Sequence, residues 1–138
     1  MDKKSIIKQL TRLGFKGAGD EEESIFAFKF EDINILYLPD EKDENFLCFA
    51  EPEVYEVTED NRPFVLELMN EINQILKYAK TFIREESVWI SYEIRLFGNE
   101  DIKEVLEHCL HMLQAAHRAF FKKINGGEII DKEKNDND

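Results

Sequence analysis

The stretch LELMNEINQILKYAKTFI, residues 66–83, changes its period partway along one apolar run. Through Leu68, Met69, Ile72 and Leu76 the apolar residues recur three and four apart, the spacing of one face of a helix. From Tyr78 onward the run is short and reads as a strand. Asn70 and Asn73 interrupt the apolar pattern, and asparagine is a mediocre helix former because its amide competes for nearby backbone groups. The two are one helical turn apart, so their amides can share one edge of the helix beside Leu68, Met69 and Ile72. The expectation is structural: an amide at that edge satisfies backbone groups of the following strand or of a neighbouring loop, in preference to binding a ligand.

The flanks agree with this reading. Upstream, TEDNRPF offers Asp60 or Asn61 as a helix cap, and Pro63 falls near the first turn, where its missing N–H costs nothing. Downstream, REES is a polar turn into VWISYEIRLF, residues 88–97. That segment alternates, with Val88, Ile90, Tyr92, Ile94 and Leu96 on one face and Trp89, Ser91, Glu93, Arg95 and Phe97 on the other.

Before the central stretch stand a helix over about residues 3–13 and three strand candidates, SIFAFKF, INILYL and FLCFAEPEVYEV. Gly14 then Phe15 form the helix stop, a left-handed residue followed by an apolar one that packs back. Glu31 and Asp32 turn the first strand into the second, and Pro52 should bend the third or confine it to an edge. Such short connections favour an antiparallel meander, since parallel pairing needs a long crossover. After the last strand, Glu100 and Asp101 open a third helix whose seam is Ile102, Leu106, Cys109, Leu113, Ala116 and Phe120. The order α-β-β-β-α-β-β-α predicts an α+β fold, an antiparallel sheet with packed helices, in one domain over residues 1–125. GAGDEEE, residues 17–23, has the composition of a loop, and residues 126–138 that of a polar tail.

Composition narrows the role. The 138 residues include 30 acids against 18 bases, a formal charge of -12 that repels phosphate backbones and anionic lipid. Nucleic acid and membrane are therefore not expected partners. The N-terminus has helical spacing where a signal peptide would have a continuous apolar core, and no apolar run is long enough to span a bilayer. Cys48 and Cys109 each sit inside an apolar pattern and read as buried free thiols of a cytoplasmic protein.

Chemistry is thinly represented. His108 and His111 are three residues apart and could bind a metal with Glu104, but HExxH and CxxC are both absent, so the expectation is polar residues flanking a buried seam and no cofactor. The acidic runs fall in connections, where solvation keeps carboxylates from acid/base work, and DEKDEN lacks the glycine and the twelfth-position glutamate of a calcium loop. GxSxG and phosphate-loop patterns are missing. The basic end HRAFFKK complements the helix dipole. The more promising signal is Trp89 and Phe97, two large aromatics on the polar face of the last strand, which suit a protein contact unless that face is covered as well.

The segments LMNEINQILKYAKTFI and SVWISYEIRL resemble the centre of the type III secretion chaperone-like fold, especially its YbjN-like branch, where a helix of the form L-x-x-x-N leads into a strand and its partner. In topology the resemblance covers about residues 3–124. It implies a small α+β domain, commonly dimeric, and its secretion members bind an extended client segment without hydrolysing ATP. The expected function is thus a non-catalytic, chaperone-like module sheltering an apolar client segment, by strand addition or in a groove. A homo-oligomeric assembly subunit is the alternative, and a metal enzyme built on His108, His111 and Glu104 the outsider.

Overall fold

The structure is a computed structural model and describes residues 2–17 and 25–126. The loop expected at 17–23 and the tail expected at 126–138 fall almost wholly outside them. Eight elements follow in the expected order: α1 (Lys3–Arg12), β1 (Phe26–Phe30), β2 (Ile33–Tyr37), β3 (Phe46–Glu56), α2 (Arg62–Ile75), β4 (Ala79–Arg84), β5 (Ser87–Arg95) and α3 (Ile102–Ile124).

Local chemistry sets the boundaries. Asp2 caps α1 by accepting a hydrogen bond from the Ser5 N–H at 2.9 Å. At the other end Gly14 turns left-handed, φ 98°, so that its N–H reaches the Thr11 carbonyl and that of Phe15 reaches Leu10. The Phe15 ring then packs on Phe28, 5.0 Å between centroids, which ties the helix end to β1. Asn61 precedes α2 but turns its amide backward: its Oδ1 accepts from the Thr58 N–H and its Nδ2 donates to the Glu56 carbonyl, fastening the turn between β3 and the helix.

The sheet is antiparallel throughout, in the order β1-β2-β3-β5-β4. The first three strands form the expected meander. α2 then carries the chain past the place where β5 will insert, so β3 and β4 run parallel with β5 between them. Of the two fates foreseen for Pro52, the bend is realised, in a central strand: Glu51 opposes Ile90 and Tyr55 opposes Val88, leaving residues 52–54 across from Trp89 alone. This bulge includes left-handed Glu53, φ 49°, and the proline's missing N–H removes nothing from the ladder there.

The two tight hairpins, β1–β2 and β4–β5, each turn on two acidic residues with positive φ, Glu31 and Asp32 (45° and 70°) and Glu85 and Glu86 (49° and 33°). Two-residue loops of this kind match the twist of the strands but favour Asn-Gly, because a side chain is strained in the left-handed region. Glu86→Gly keeps the Glu86 carbonyl that accepts from the Val57 N–H. It should raise stability by roughly 0.5–1 kcal/mol in urea unfolding. No gain would mean that the turn is relaxed as it stands.

The core lies on one side of the sheet. Val88, Ile90 and Tyr92 of β5 and Leu47 and Phe49 of β3 meet the α3 seam, in which Leu106, Cys109, Leu113, Ala116 and Phe120 are fully buried. Each large side chain withdrawn in this way contributes about 1.5–3 kcal/mol. α1 adds Ile6 and Leu10, and α2 adds Val65, Leu68, Met69 and Ile72, to the same cluster. Among the described residues no helix is long and apolar enough to cross a membrane.

Candidate functional site

Strand parity divides the sheet into two unlike faces. Direct partners share a face, so Phe49 and Tyr92 point toward the helices while Cys48 and Glu93, and Ala50 and Ser91, point away. Cys48, Ala50 and Ser91 are 8%, 0% and 2% exposed, yet none belongs to the core cluster beneath the helices. They form the small-residue floor of a second face, on which no helix lies among the described residues.

Larger side chains surround that floor. Phe82 of β4 opposes Trp89 of β5, their ring centroids 6.4 Å apart, and the Arg84 guanidinium lies 5.0 Å from the indole centroid. Leu36 opposes Ala50 from β2, and Phe46 opposes Arg95 at the far end. A polar row adjoins the floor, in which Lys80 meets Glu93 at 3.2 Å and the Ser91 hydroxyl donates to the same carboxylate. Burial beside this row pushes the Cys48 thiol up to about 11, with Glu93's charge acting in the same direction. Cys109, beneath the helices, is raised well above its ordinary range by burial, and both cysteines are free.

The two aromatics singled out in the sequence do not form one patch. Trp89 is half-buried near the start of β5, whereas the strand ends at Arg95 and Phe97 stands in the loop beyond it, 75% exposed. Up to about 26 Å of extended chain separates them. The Phe97 N–H is held by the Glu100 carboxylate at 2.7 Å, and its ring is approached by the Arg95 guanidinium. Phe82, Arg84, Leu36 and Phe46 are the residues that sequence reading missed; the alternation of KTFIR, residues 80–84, already separates Phe82 from Thr81 and Ile83.

Asn73 and Asn70 also part company. The Glu85–Glu86 turn makes Arg84 and Ser87 a hydrogen-bonded pair, so Ala79, Thr81 and Ile83 direct their backbone groups away from β5, toward the outer edge. There the Asn73 Nδ2 donates to the Thr81 carbonyl at 3.0 Å, and its Oδ1 accepts from the Thr81 N–H at 2.8 Å and hydroxyl at 2.9 Å. One side-chain amide stands where the next strand would. Asn70 is exposed, and its side chain makes no hydrogen bond among the described residues.

The histidines are divided among separate partners. His108 Nδ1 lies 2.9 Å from the Tyr92 hydroxyl, beside Tyr78, which holds a left-handed backbone, φ 68°. Burial pushes the Tyr92 phenol up to about 12. His111 instead packs on Phe30, and Glu104 is exposed. Among the described residues no three of His, Cys, Asp or Glu converge as a metal site. His117 reaches Glu51, Nδ1 to Oε2 at 2.8 Å, from α3 to the residue just before the β3 bulge. Sequence offered no signal for that pair, since the register of β3 against β5 decides what Glu51 faces.

Two solved structures decide the fold. YbjN from E. coli, placed among candidate transcription regulators, superposes with a TM-score of 0.63 at 11% identity, over 87% of this chain and 92% of its own. The ExsC-ExsE complex matches at 0.57 and 15%, over 85% and 92%. The fold is the type III secretion chaperone-like fold in its YbjN-like form. An uncharacterised protein from Methanothermobacter thermautotrophicus also superposes, with a TM-score of 0.64 at 15% identity over 91% of this chain and 97% of that one. None of these three is described as an enzyme. No family model and no curated protein matches the chain.

Proposed function

We propose that this chain is a non-catalytic, chaperone-like module that shelters an apolar segment of a client protein on the helix-free face of its sheet. The carrying observation is the Phe82–Trp89 pair standing beside a floor of Cys48, Ala50 and Ser91. Large side chains beside small, already buried ones leave a depression, and an extended segment laid along it would cover the half-exposed Phe82 and Trp89 rings. That YbjN and the ExsC-ExsE complex both align over most of their length, the second determined as a complex, favours a protein occupant. The charge of -12 keeps such a face from self-association when unoccupied. The buried free thiols suit the cytoplasm.

A homodimer is the second reading, favoured by the exposed flank of α2, where Phe64 and Ile75 are 55% and 48% accessible. A dimer can coexist with client binding or replace it.

Trp89 is the sole tryptophan, so its emission reports directly on the face. Adding tryptophan-free peptides of alternating apolar residues should shift the emission to the blue, saturably. Phe82→Ala should weaken the same peptides by at least ~10-fold, as central aromatic contacts commonly do. Emission that moves only with dilution, in step with dissociation seen by sedimentation, would assign the face to a second copy. Peptide binding that left Trp89 unmoved would overturn the proposal.

A further inference from the structure

The β2–β3 connection and the start of α1 line a half-open pocket of about 210 Å³ at one end of the sheet. Sites for whole small-molecule ligands begin near ~300 Å³, so this one suits the head of a single side chain. Tyr37, Pro39 and Phe46 give it apolar lining, and Asp2, Asp40, Glu41, Asp43 and Glu44 give it charge. Asp2, Asp40 and Asp43 each commit one oxygen to a backbone N–H, of Ser5, Lys42 and Asn45 respectively. None of the five carboxylates is in a salt bridge among the described residues. Opposing them are Lys3, which also lines the cavity, the N-terminus of α1, and Arg95 beside Phe46.

An acidic loop alone is commonly no more than a solvated connection. The second observation is Tyr37. Its side chain is stacked on Phe49 and only 4% exposed, yet its hydroxyl makes no hydrogen bond among the described residues and the residue lines this cavity. A phenol so placed completes its hydrogen bonding with whatever enters. Among the described residues the carboxylates do not converge on one point as metal ligands would, and their spread around the rim suits a larger, organic cation.

We propose that the cavity binds the cationic head of an arginine or lysine side chain of the client, with the Tyr37 hydroxyl and the loop carboxylates as acceptors and the Phe46 ring as a wall. Charge-assisted bonds to carboxylates and a ring face beside the cation are the two interactions such heads favour. Phe46 also belongs to the helix-free face, so an extended segment lying there can deliver a basic side chain to the cavity. The proposal rests on the client-binding reading for the carrier of the cation, and on the cavity alone for its chemistry.

The test uses the full chain and N-acetyl-arginine N-methylamide as probe, followed by NMR at the Tyr37 and Phe46 rings and the amides of residues 40–46. Saturable shifts confined to these groups are expected, weakening as salt rises. The uncharged citrulline analogue and the Asp40→Asn/Glu44→Gln variant should each bind at least ~10-fold more weakly. Tyr37→Phe should weaken binding while melting at the same temperature or higher, because the hydroxyl it removes has no partner in the free protein. Equal binding of citrulline, or a clear loss of stability in Tyr37→Phe, would overturn the proposal. Spermidine binding more tightly than the arginine probe would overturn the assignment to a polypeptide. These readouts do not involve Trp89, so client binding elsewhere can fail while this cavity still binds its cation, and the reverse.

Discussion

Asn73→Ala lowers the unfolding free energy by about 3 kcal/mol, whereas Asn70→Ala stays within about 0.5 kcal/mol of the parent. Thr81 is 3% exposed, and the Asn73 amide serves its N–H, its carbonyl and its hydroxyl together. Removing that amide strands a backbone donor and a backbone acceptor where water reaches them poorly, and each such group costs about 1–3 kcal/mol. Asn73→Asp tests the donor separately, since a carboxylate still accepts from the Thr81 N–H but faces its carbonyl with repulsion. In urea the midpoint should fall with little change in slope. Equal, small losses for Asn70→Ala and Asn73→Ala would refute the assignment of Asn73 to the sheet edge and return both asparagines to the list of ligand candidates.

His117→Ala is the second large effect, at about 2 kcal/mol. The Glu51 side chain is 8% exposed and has His117 as its hydrogen-bond partner, from 2.8 Å. Breaking a buried pair by removing one member costs about 3–5 kcal/mol. The lower figure applies here because the His117 side chain is 32% exposed and water can partly replace it. Glu51→Gln, which keeps an acceptor opposite the imidazole and removes the buried charge, should cost less than His117→Ala. If His117→Ala melted with the parent, the carboxylate would have to be hydrated through the bulge.

The order of elements is legible in the chain because local signals agree with one another. The 3.6-residue seam of α3, the Gly14–Phe15 stop and the alternation of β5 each state one answer, and turn chemistry joins them. The change from helix to strand follows from residues 66–83 alone, whereas the insertion of β5 between β3 and β4 does not. What distant register decides is much less legible. Glu51 belongs to the helix side only because the ladder runs unbroken from Phe46 to Glu51, and two residues later the bulge changes the count. Trp89 and Phe97 share a parity in sequence, but parity ends with the strand at Arg95, so a shared face could not be inferred for Phe97. Tyr37 reads as an ordinary core residue, and nothing in INILYL tells that its hydroxyl lacks a partner. Of the two asparagines, spacing gave the helix edge; only the position of β4 distinguishes the one that reaches Thr81.

The sheet has two rims of unequal character. Along β4, Asn73 occupies Thr81, and the Ala79 N–H is turned back to the Lys77 carbonyl. Along β1, the Glu31–Asp32 turn directs the backbone of Ala27 and Lys29 outward, where no described residue pairs with it. A sheet with two receptive rims can add copies without limit, which is how fibrils grow. One with a single receptive rim behaves as a monofunctional monomer does in polymer chemistry: it couples once and terminates. On the described rims, a copy that paired along β1 would meet no such opening at Thr81 of β4, where Asn73 is the residue that ends the chain reaction.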